Sequence, residues 1–246
     1  MVPVGGESVS AVRREQERVQ TRERILGAAV ELLLAEGVDG FSMRKLAQRI
    51  GYTPTAIYLY FPDKETLLGE VVETQFVHFR QALESMGRTE DPILRLRNMG
   101  LAFVRFGLQH PDHYRFMFLT PLNSIPKGRI VEKGNPSQDC YAFLVATVAE
   151  GLAAGRFRPE LTDAHQLAQM FFSAVHGVVA LHIVKGEDDW VEWRPVTEKV
   201  HRMLDALLRG LTAAAEDFSQ LPVPPEFSEL SVERPCSDAA DQETRI

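Results

Sequence analysis

Apolar residues recur every three to four positions along most of the chain, which is the spacing of a helix that buries one face. The first clear run predicts a helix over about residues 22–36, with the apolar face Ile25, Ala28, Ala29, Leu32 and Leu33. Thr21 is a candidate N-cap, and Gly37 is a candidate left-handed stop. No segment alternates with the two-residue period of a strand. The pattern therefore predicts an all-α fold.

Three more helices follow closely and are separated by strong capping signals. Ser42 is expected to cap the second helix, which ends at Gly51. The pair Thr53-Pro54 is a cap followed by a proline at the first helical position, so a short third helix begins there. Asp63 caps a fourth, longer helix. Residues 42–61 therefore have the order of a helix-turn-helix.

The rest of the chain also has helical periodicity. Predicted helices cover about residues 92–109, 137–154, 163–184 and 197–215, with a short aromatic segment over 112–119 and a loop over 120–136. Residues 218–246 combine proline, serine and acidic residues without periodicity, which predicts disorder. We divide the chain into a mobile arm (1–18), a three-helix helix-turn-helix domain (19–79), a larger C-terminal helical domain (80–216) and a disordered acidic tail (217–246).

The formal charge of −7 is spread unevenly along the 246 residues. Residues 1–64 have a balance of +1, whereas residues 216–246 have a balance of −6. Between Asp39 and Asp63 there are three basic residues (Arg44, Lys45 and Arg49) and no acidic one. This local change of sign fits contact with duplex DNA, because phosphate binding uses Lys, Arg, hydroxyls and free helix N-termini.

Several other classes of protein find little support. No stretch of 18 or more apolar residues exists, the N-terminus lacks the apolar core of a secretory signal, and the two cysteines are far apart, so we expect a reduced, cytoplasmic protein that does not contact a membrane. No GxSxG, HExxH, CxxC, P-loop or GxGxxG motif is present, so neither an enzyme nor a cofactor is expected. His110 and His113 beside Asp112 lack a third metal ligand, and turn or cap roles fit them better.

At this point the residues match a known family. Residues 21–72 closely resemble the DNA-binding domain of TetR-type transcriptional regulators. The matching residues are Arg24-Ile25-Leu26, Ala28-Ala29, Gly37, Phe41-Ser42, Leu46-Ala47, Ile50-Gly51, the run Ile57-Tyr58-Leu59-Tyr60-Phe61, Lys64-Glu65 and Leu67-Leu68. The remainder resembles one C-terminal class of that family, recognised by a Trp-His-Gly element that reads Val175-His176-Gly177 here. The resemblance implies an all-α fold, a homodimer and a ligand-responsive repressor.

The resemblance places the third helix in the major groove of a palindromic operator in double-stranded DNA. Thr53 and Thr55 then offer hydroxyls to phosphates or base edges, and Pro54 offers apolar contact. The family implies phosphate contacts for Tyr58 and Lys64. For Tyr60, phosphate contact and packing both stay open.

Arg44 is the candidate for reading a base. It lies near the N-terminal end of the second helix, where some relatives use an arginine to read guanine. A phosphate contact or a plain surface charge is the alternative. Ser42 and the backbone N–H of Met43 are expected to hold a phosphate at the same helix end.

Aromatic residues of the C-terminal domain are candidates for a largely apolar effector pocket. The family's logic predicts a small apolar effector that contacts Phe103, Phe106, Phe118, Tyr141 and Phe172, with His110 and His176 as polar groups. For any one of them, ordinary core packing is the alternative. The broad apolar faces of helices 163–184 and 197–215 predict a four-helix interface between two copies of the chain.

Two other functions stay open from sequence. One is a DNA-binding dimer without an effector, which acts through a protein partner. The other is an all-α enzyme in which the N-terminal segment only packs.

Overall fold

The computed structural model describes residues 6–86, 89–120 and 131–213. Within those ranges the expected all-α fold is confirmed, with nine α-helices, one π-helical turn and a single isolated β-bridge. The helices are α1 (Gly6–Gly40), α2 (Met43–Ile50), α3 (Pro54–Tyr58), α4 (Lys64–Met86), α5 (Pro92–Gln109), α6 (Pro111–Tyr114), α7 (Cys140–Ala153), α8 (Ala164–Lys185) and α9 (Val196–Leu211), and the π-turn is Arg115–Leu119. The predicted tail over 217–246 and most of the predicted loop over 120–136 lie outside the described residues.

Local capping chemistry fixes the boundaries of the second, third and fourth helices as predicted. The Ser42 hydroxyl accepts a hydrogen bond from the Lys45 N–H at 3.2 Å, and the Thr53 hydroxyl accepts one from the Ala56 N–H at 3.2 Å. Gly51 ends α2 in the left-handed region, with φ of 72°. The Asp63 carboxylate accepts from the Thr66 N–H at 2.6 Å. Each cap satisfies a backbone group that the helix end would leave unpaired.

Helix α1 starts earlier than its sequence signals indicate. It already begins at Gly6, so the described part of the predicted arm is helical, and residues 10–20 are exposed. The prediction that Thr21 caps this helix is wrong: its hydroxyl instead donates to the Glu17 carbonyl at 2.8 Å, one turn back within the helix. Gly37 does break the helical geometry, with φ of 69°.

The described residues belong to two compact units. The first unit comprises Met1–Ser85 and His110–Thr147, and the second comprises Met86–Gln109 and Val148–Ile246. In the first unit, Leu46, Ile57, Phe61 and Leu67 are fully buried and form the core beneath α2 and α3. The segment over 110–147 belongs with the N-terminal unit, whereas the linear division from sequence places it in the C-terminal domain.

One ion pair fastens α1 to α4 within the first unit. Arg22 pairs with Glu70, whose side chain is almost completely buried, and the Arg22 guanidinium lies 4.8 Å from the centre of the Phe61 ring. A buried carboxylate needs such a partner, because an unpaired buried charge is strongly destabilising. The pair therefore fixes the helix that precedes the helix-turn-helix against the helix that follows it.

In the second unit, α5 packs against α8 and α9, and α8 packs against α9. Gly100 makes the close approach possible: a Cβ atom there would lie 2.7 Å from the Leu204 Cδ2 atom and 2.9 Å from the Phe171 Cζ atom. The buried side chain of Arg97 links α5 to α9, because its Nε atom donates to the Asp205 carboxylate at 3.3 Å. These three helices form the core of the unit.

Two helix boundaries in the structure differ from the predicted ones, the start of α7 and the end of α9. Helix α7 begins at Cys140 rather than near residue 137, because the Asp139 carboxylate caps it by accepting from the Tyr141 N–H at 2.8 Å. Helix α9 ends at Leu211 rather than near residue 215, because Thr212 leaves the helix to form an antiparallel bridge with Phe157. Helix α8 starts where predicted, because the Asp163 carboxylate caps it by accepting from the His165 N–H at 2.8 Å.

Among the described residues, α8 alone is long and apolar enough to cross a membrane by length and composition. This is weak evidence, since the core helix of a soluble protein passes the same test. Packing of α8 against α5 and α9 is typical of such a core helix.

Candidate nucleic-acid interface

Helices α2 and α3 bury one side and expose the other. Their buried side includes Met43, Leu46, Ile50 and Ile57. Their exposed side includes Arg44, Thr53, Pro54, Thr55 and Tyr58. The side chains predicted to meet DNA are therefore accessible, with the exception of Met43, for which only the backbone N–H was proposed as a contact.

The three basic residues of α2 have different partners. Lys45 pairs with Glu36 and also donates to the Gly40 carbonyl at 3.0 Å. Arg49 pairs with Glu31 at 3.0 Å. Arg44 is exposed and has no hydrogen bond or ion pair with any residue that the structure describes. Of these cations, Arg44 alone is available without breaking a contact.

The N-terminus of α2 supplies backbone donors next to Arg44. The Ser42 hydroxyl oxygen already accepts from the Lys45 N–H, which leaves the hydroxyl hydrogen able to donate. The N–H groups of Met43 and Arg44 occupy the first helical positions, where an α-helix has no internal acceptor for them. Such a helix end favours anions through its donors and its dipole.

Helix α3 is a single short turn that exposes polar and aromatic side chains. The Thr53 hydroxyl is used as the cap, whereas Thr55 is exposed at the second position of the helix. The Tyr58 side chain is 47% exposed, and Tyr60 is only half-buried. These positions allow the predicted contacts of Tyr58 and leave both roles of Tyr60 open.

Leu59 is a surface residue that sequence reasoning missed. Its side chain is 77% exposed, which is unusual for a large apolar residue. The pattern contained the signal, because the buried residues Ile57 and Phe61 are four positions apart and share one side. Leu59 lies midway between them and therefore points away from the core.

Lys64 is already engaged within the chain. Its ammonium donates to the Phe41 carbonyl at 3.0 Å and to the Val38 carbonyl at 3.3 Å, and it lies 5.6 Å from the centre of the Phe41 ring. An ammonium has a third N–H, which is available to a phosphate. The predicted phosphate contact thus stays a prediction, and Lys64 has a second role in holding α4 to the turn after α1.

The predicted effector residues fall into two groups. In the second unit, the Phe103 and Phe172 rings meet edge to face at 5.7 Å, and the Phe172 and His176 rings lie 5.4 Å apart. Burial lowers the pKa of His176, so this imidazole is neutral near pH 7. Phe106 lies on the same helix as Phe103 and is partly exposed.

The other group lies in the first unit. Phe118 packs edge to face against Phe76 at 5.4 Å and Phe79 at 5.7 Å. The remaining two candidates are more peripheral, since Tyr141 is exposed and the exposed His110 stacks near His113 at 5.7 Å. Sequence reasoning missed Tyr114, which is fully buried 4.9 Å from Phe118 and whose pKa burial raises. Contact of each group with an effector stays a prediction.

No three His, Cys, Asp or Glu side chains in the described ranges are arranged to hold a metal ion. The pair of His110 and His113 therefore gains no further ligand from these residues.

Comparisons with known proteins agree with this geometry. Residues 25–71 match the family model described as bacterial regulatory proteins, tetR family, and residues 96–211 match the tetracyclin repressor-like C-terminal domain. The HTH-type transcriptional repressor NicS of Pseudomonas putida is 27% identical over 158 residues, which cover 62% of this chain and 73% of that repressor. The class D tetracycline repressor of Escherichia coli is 35% identical over 92 residues, or 37% of this chain and 41% of that protein.

Solved structures share the fold. A protein of unknown function from Rhodococcus sp. RHA1 superimposes with a TM-score of 0.62 at 28% identity, covering 78% of this chain and 94% of that one. The two family models together match both the helix-turn-helix and most of the helices that follow it. The chain belongs to the TetR family of bacterial transcriptional regulators.

Proposed function

We propose that the protein is a homodimeric, sequence-specific DNA-binding repressor that a small apolar effector releases from a palindromic operator. The observation that carries the proposal is the exposed Arg44 at the N-terminus of α2, which has no partner among the described residues and lies next to the exposed residues of α3. The other two basic residues of α2 form ion pairs, Lys45 with Glu36 and Arg49 with Glu31. Arg44 instead faces solvent at a helix end that favours anions.

In this proposal, α3 enters the major groove, which is about 12 Å wide in B-DNA and admits one helix. Thr55, Pro54 and Leu59 contact base edges, including the methyl group of thymine, and Tyr58 and Tyr60 reach the phosphates. Arg44 reads a guanine from the end of α2. Ser42, the Met43 N–H, Thr53 and Lys64 fix the register by phosphate contacts, which position a protein without reading sequence.

A second copy of the chain is needed because one short helix reads few base pairs. The helix-turn-helix domains of the two copies read successive major grooves about 34–36 Å apart. Because the two copies are related by symmetry, the operator is palindromic. The supporting observation is a stripe along α8, opposite its buried side, in which the exposed apolar residues Met170, Leu181 and Val184 share one face at helical spacing with two small residues, the exposed Ser173 and the half-buried Gly177. Together with α9, this stripe is the proposed dimer interface.

The effector is a small apolar molecule. Its proposed contacts begin with the ring cluster of Phe103, Phe172 and the neutral His176 and extend to Phe106, His110, Phe118 and Tyr141. Binding favours the conformation that does not fit the operator, through a difference in affinity typically of about 1–3 kcal/mol between two states. We propose no cofactor, since repression in this scheme requires no chemical reaction.

Three finer assignments belong to the proposal. Val175-His176-Gly177 and the aromatic run over 110–118 favour the Trp-His-Gly class for the C-terminal part. A regulator of this kind works in the cytoplasm, where the DNA is, and it is not an enzyme.

The test is a gel-shift titration with the DNA upstream of the protein's own gene. We expect competitor-resistant binding that weakens steeply with salt, because phosphate contacts release counterions. Binding that is absent or insensitive to salt would favour the all-α enzyme. A thermal-shift screen with apolar small molecules then separates the ligand-responsive repressor from an effector-independent dimer, since a ligand that binds the folded state raises Tm.

A further inference from the structure

The junction of α8 and α9 contains a group of hydrogen-bond donors that no described acceptor satisfies. Trp193, in the turn before α9, has a buried Nε1 atom without a hydrogen-bond partner among the described residues. Buried donors in folded proteins nearly always have an acceptor, so one is missing here. The group lies within the second unit and is separate from the residues assigned to DNA and effector contacts, and its Lys199 belongs to α9, which is part of the proposed dimer interface.

Lys199 is the second member of the group. Its Nζ atom lies 4.9 Å from the centre of the Trp193 ring, and its ammonium has no hydrogen bond or ion pair with a described residue. Lys199 also lies in the first turn of α9, where the helix dipole disfavours a cation. Burial lowers the pKa of Lys199, as expected for an ammonium that lacks a counter-charge.

Three of the acidic residues near Lys199 in sequence are engaged elsewhere. Each of these pairs with another base: Asp188 with Lys185 at 3.3 Å, Glu192 with Arg194 at 2.7 Å, and Glu198 with Arg202 at 2.8 Å. The positive charge of Lys199 is therefore left without a described partner.

His182, near the end of α8, is the third member. Burial is the main cause that lowers its pKa, and the charge of Lys199 lowers it further. The Nδ1 atom of His182 also lies beside Gly186, where the chain leaves α8. Trp193, in the turn before α9, thus meets Lys199, and His182 lies at the end of α8 that leads into that turn.

We propose that Lys199, Trp193 and His182 bind a small oxyanion, of the carboxylate or phosphate class, at the junction of α8 and α9. The oxyanion accepts from the Trp193 Nε1–H and from the Lys199 ammonium, which gives the buried donor its acceptor and the cation its counter-charge. The Trp193 ring keeps the Lys199 stem in place.

The two tryptophans of the chain make the test direct, because each gives one indole N–H resonance. Trp193 is the reporter, and Trp190, whose side chain is 94% exposed, is the internal control. The protein is titrated with acetate and, separately, with inorganic phosphate, while sodium chloride keeps the ionic strength constant. We expect the Trp193 resonance to shift along a saturable curve for one of the anions, while the Trp190 resonance stays in place. The anion that saturates at the lower concentration identifies the class.

Matched variants decide whether Lys199 carries the binding. Lys199→Met is expected to weaken the saturable shift by about tenfold or more, since the charge-assisted hydrogen bond is lost. Lys185→Met, a neighbouring lysine that is paired with Asp188, is expected to leave it unchanged. If Lys199→Met does not fold, Trp193→Phe retains the ring and removes the donor. The anion titration of that variant is then followed at the His182 ring protons, and their saturable shift should be lost.

Three results would overturn the proposal. One is an absent or non-saturable shift with both anions. A second is an equal shift of the Trp190 and Trp193 resonances. The third is unchanged affinity in Lys199→Met or Trp193→Phe, which would indicate an adventitious ion only. None of these depends on DNA binding, so the repressor function and the anion site fail independently.

Discussion

Arg49 donates two hydrogen bonds to the carboxylate of Glu31, at 3.0 Å from its Nη2 atom and 3.3 Å from its Nε atom. This pair joins the exposed side of α2 to α1. It is worth little in stability, because both side chains are substantially exposed to solvent. Its importance is that it separates the roles of two arginines on one helix, since Arg44 has no such partner among the described residues.

Replacing Arg44 by Ala is expected to relax the preference at one base position in each half-site. A bidentate arginine–guanine pair is worth about 1–3 kcal/mol of discrimination, and its loss leaves the other positions unchanged. Binding-site selection on both proteins measures the effect. Arg49→Ala is the matched control and should retain the parent consensus, because its guanidinium is held by Glu31. An unchanged consensus in Arg44→Ala would rule out base reading by this side chain.

Tyr58→Phe is expected to weaken binding to all DNA sequences by a similar factor. The hydroxyl contacts a phosphate in our proposal, and phosphate contacts carry no sequence information. Parallel titrations of operator and unrelated DNA provide the measurement, and unfolding by urea should be unaffected because Tyr58 is exposed. Selective loss of operator binding would instead assign Tyr58 to base recognition.

Lys64→Met should weaken all DNA complexes and also destabilise the first unit. Its ammonium donates to the carbonyls of Phe41 and Val38, so the variant loses bonds inside the protein as well as a phosphate contact. Urea unfolding and DNA titration on the same sample separate the two effects. Weaker binding with unchanged stability would mean that the two carbonyl contacts contribute nothing to the fold.

The caps around the helix-turn-helix could be predicted because each is a local event. Ser42, Thr53 and Asp63 bond to N–H groups only three residues away, and that distance can be read from sequence. The prediction that Thr21 is an N-cap was wrong because it also used only local signals. Helix α1 begins well before Thr21, and the local motif does not show this.

The state of the basic side chains could not be predicted. Glu31 and Arg49 are 18 residues apart, and Phe41 and Lys64 are 23 apart, so their pairing depends on how the helices pack. The contact between Trp193 and Lys199 at the α8–α9 junction also depends on packing, and the sequence pattern did not predict it. The family resemblance supplied the general role of the first domain, and the packing shows which of its cations is unpaired.

Gly100→Ala is expected to destabilise the protein by about 1–3 kcal/mol, the usual cost of overpacking a core. The new Cβ atom would lie 2.7 Å from Leu204 Cδ2 and 2.9 Å from Phe171 Cζ, and both side chains are buried. Urea denaturation gives the measurement. Gly27→Ala is the control, because no atom lies within 4 Å of its added Cβ atom and Gly27 lies in α1, outside the proposed dimer interface. Equal stability of the two variants would contradict the tight packing of α5.

Leu181→Glu should dissociate the dimer and abolish high-affinity operator binding. The Leu181 side chain is 53% exposed on α8, where the proposed interface would bury it, and burying a charge there is costly. Analytical ultracentrifugation measures the association. Val12→Glu, which changes an apolar residue with 57% exposure on α1, is the control and should remain dimeric. A dimeric Leu181→Glu protein would place the interface elsewhere.

Stability is expected to fall as the pH drops from about 7.5 to about 5.5. Burial is the main cause of the lowered pKa of His113, His176, His182 and His201. The unfolded chain then binds protons near the ordinary histidine pKa of 6.5, where the folded chain stays neutral, so acid favours unfolding.

The measurement is the urea midpoint at a series of pH values. Asp91 does not interfere: burial raises its pKa, but the Arg156 hydrogen bond and the N–H groups of Leu94 and Ile93 lower it by more, so its effect is confined to pH below about 3.8. A midpoint that is constant or rises on acidification would contradict the burial of these imidazoles.

The short antiparallel stitch at the end of α9 has a practical use. The Arg158 N–H donates to the Leu211 carbonyl at 2.9 Å and the Ala213 N–H to the Arg156 carbonyl at 2.9 Å, so the chain is tied down on both sides of Thr212. A fluorophore attached at Ala213 would thus rotate with α9 and would have little independent local motion. Its fluorescence anisotropy would report whether α9 changes orientation when DNA or the effector binds.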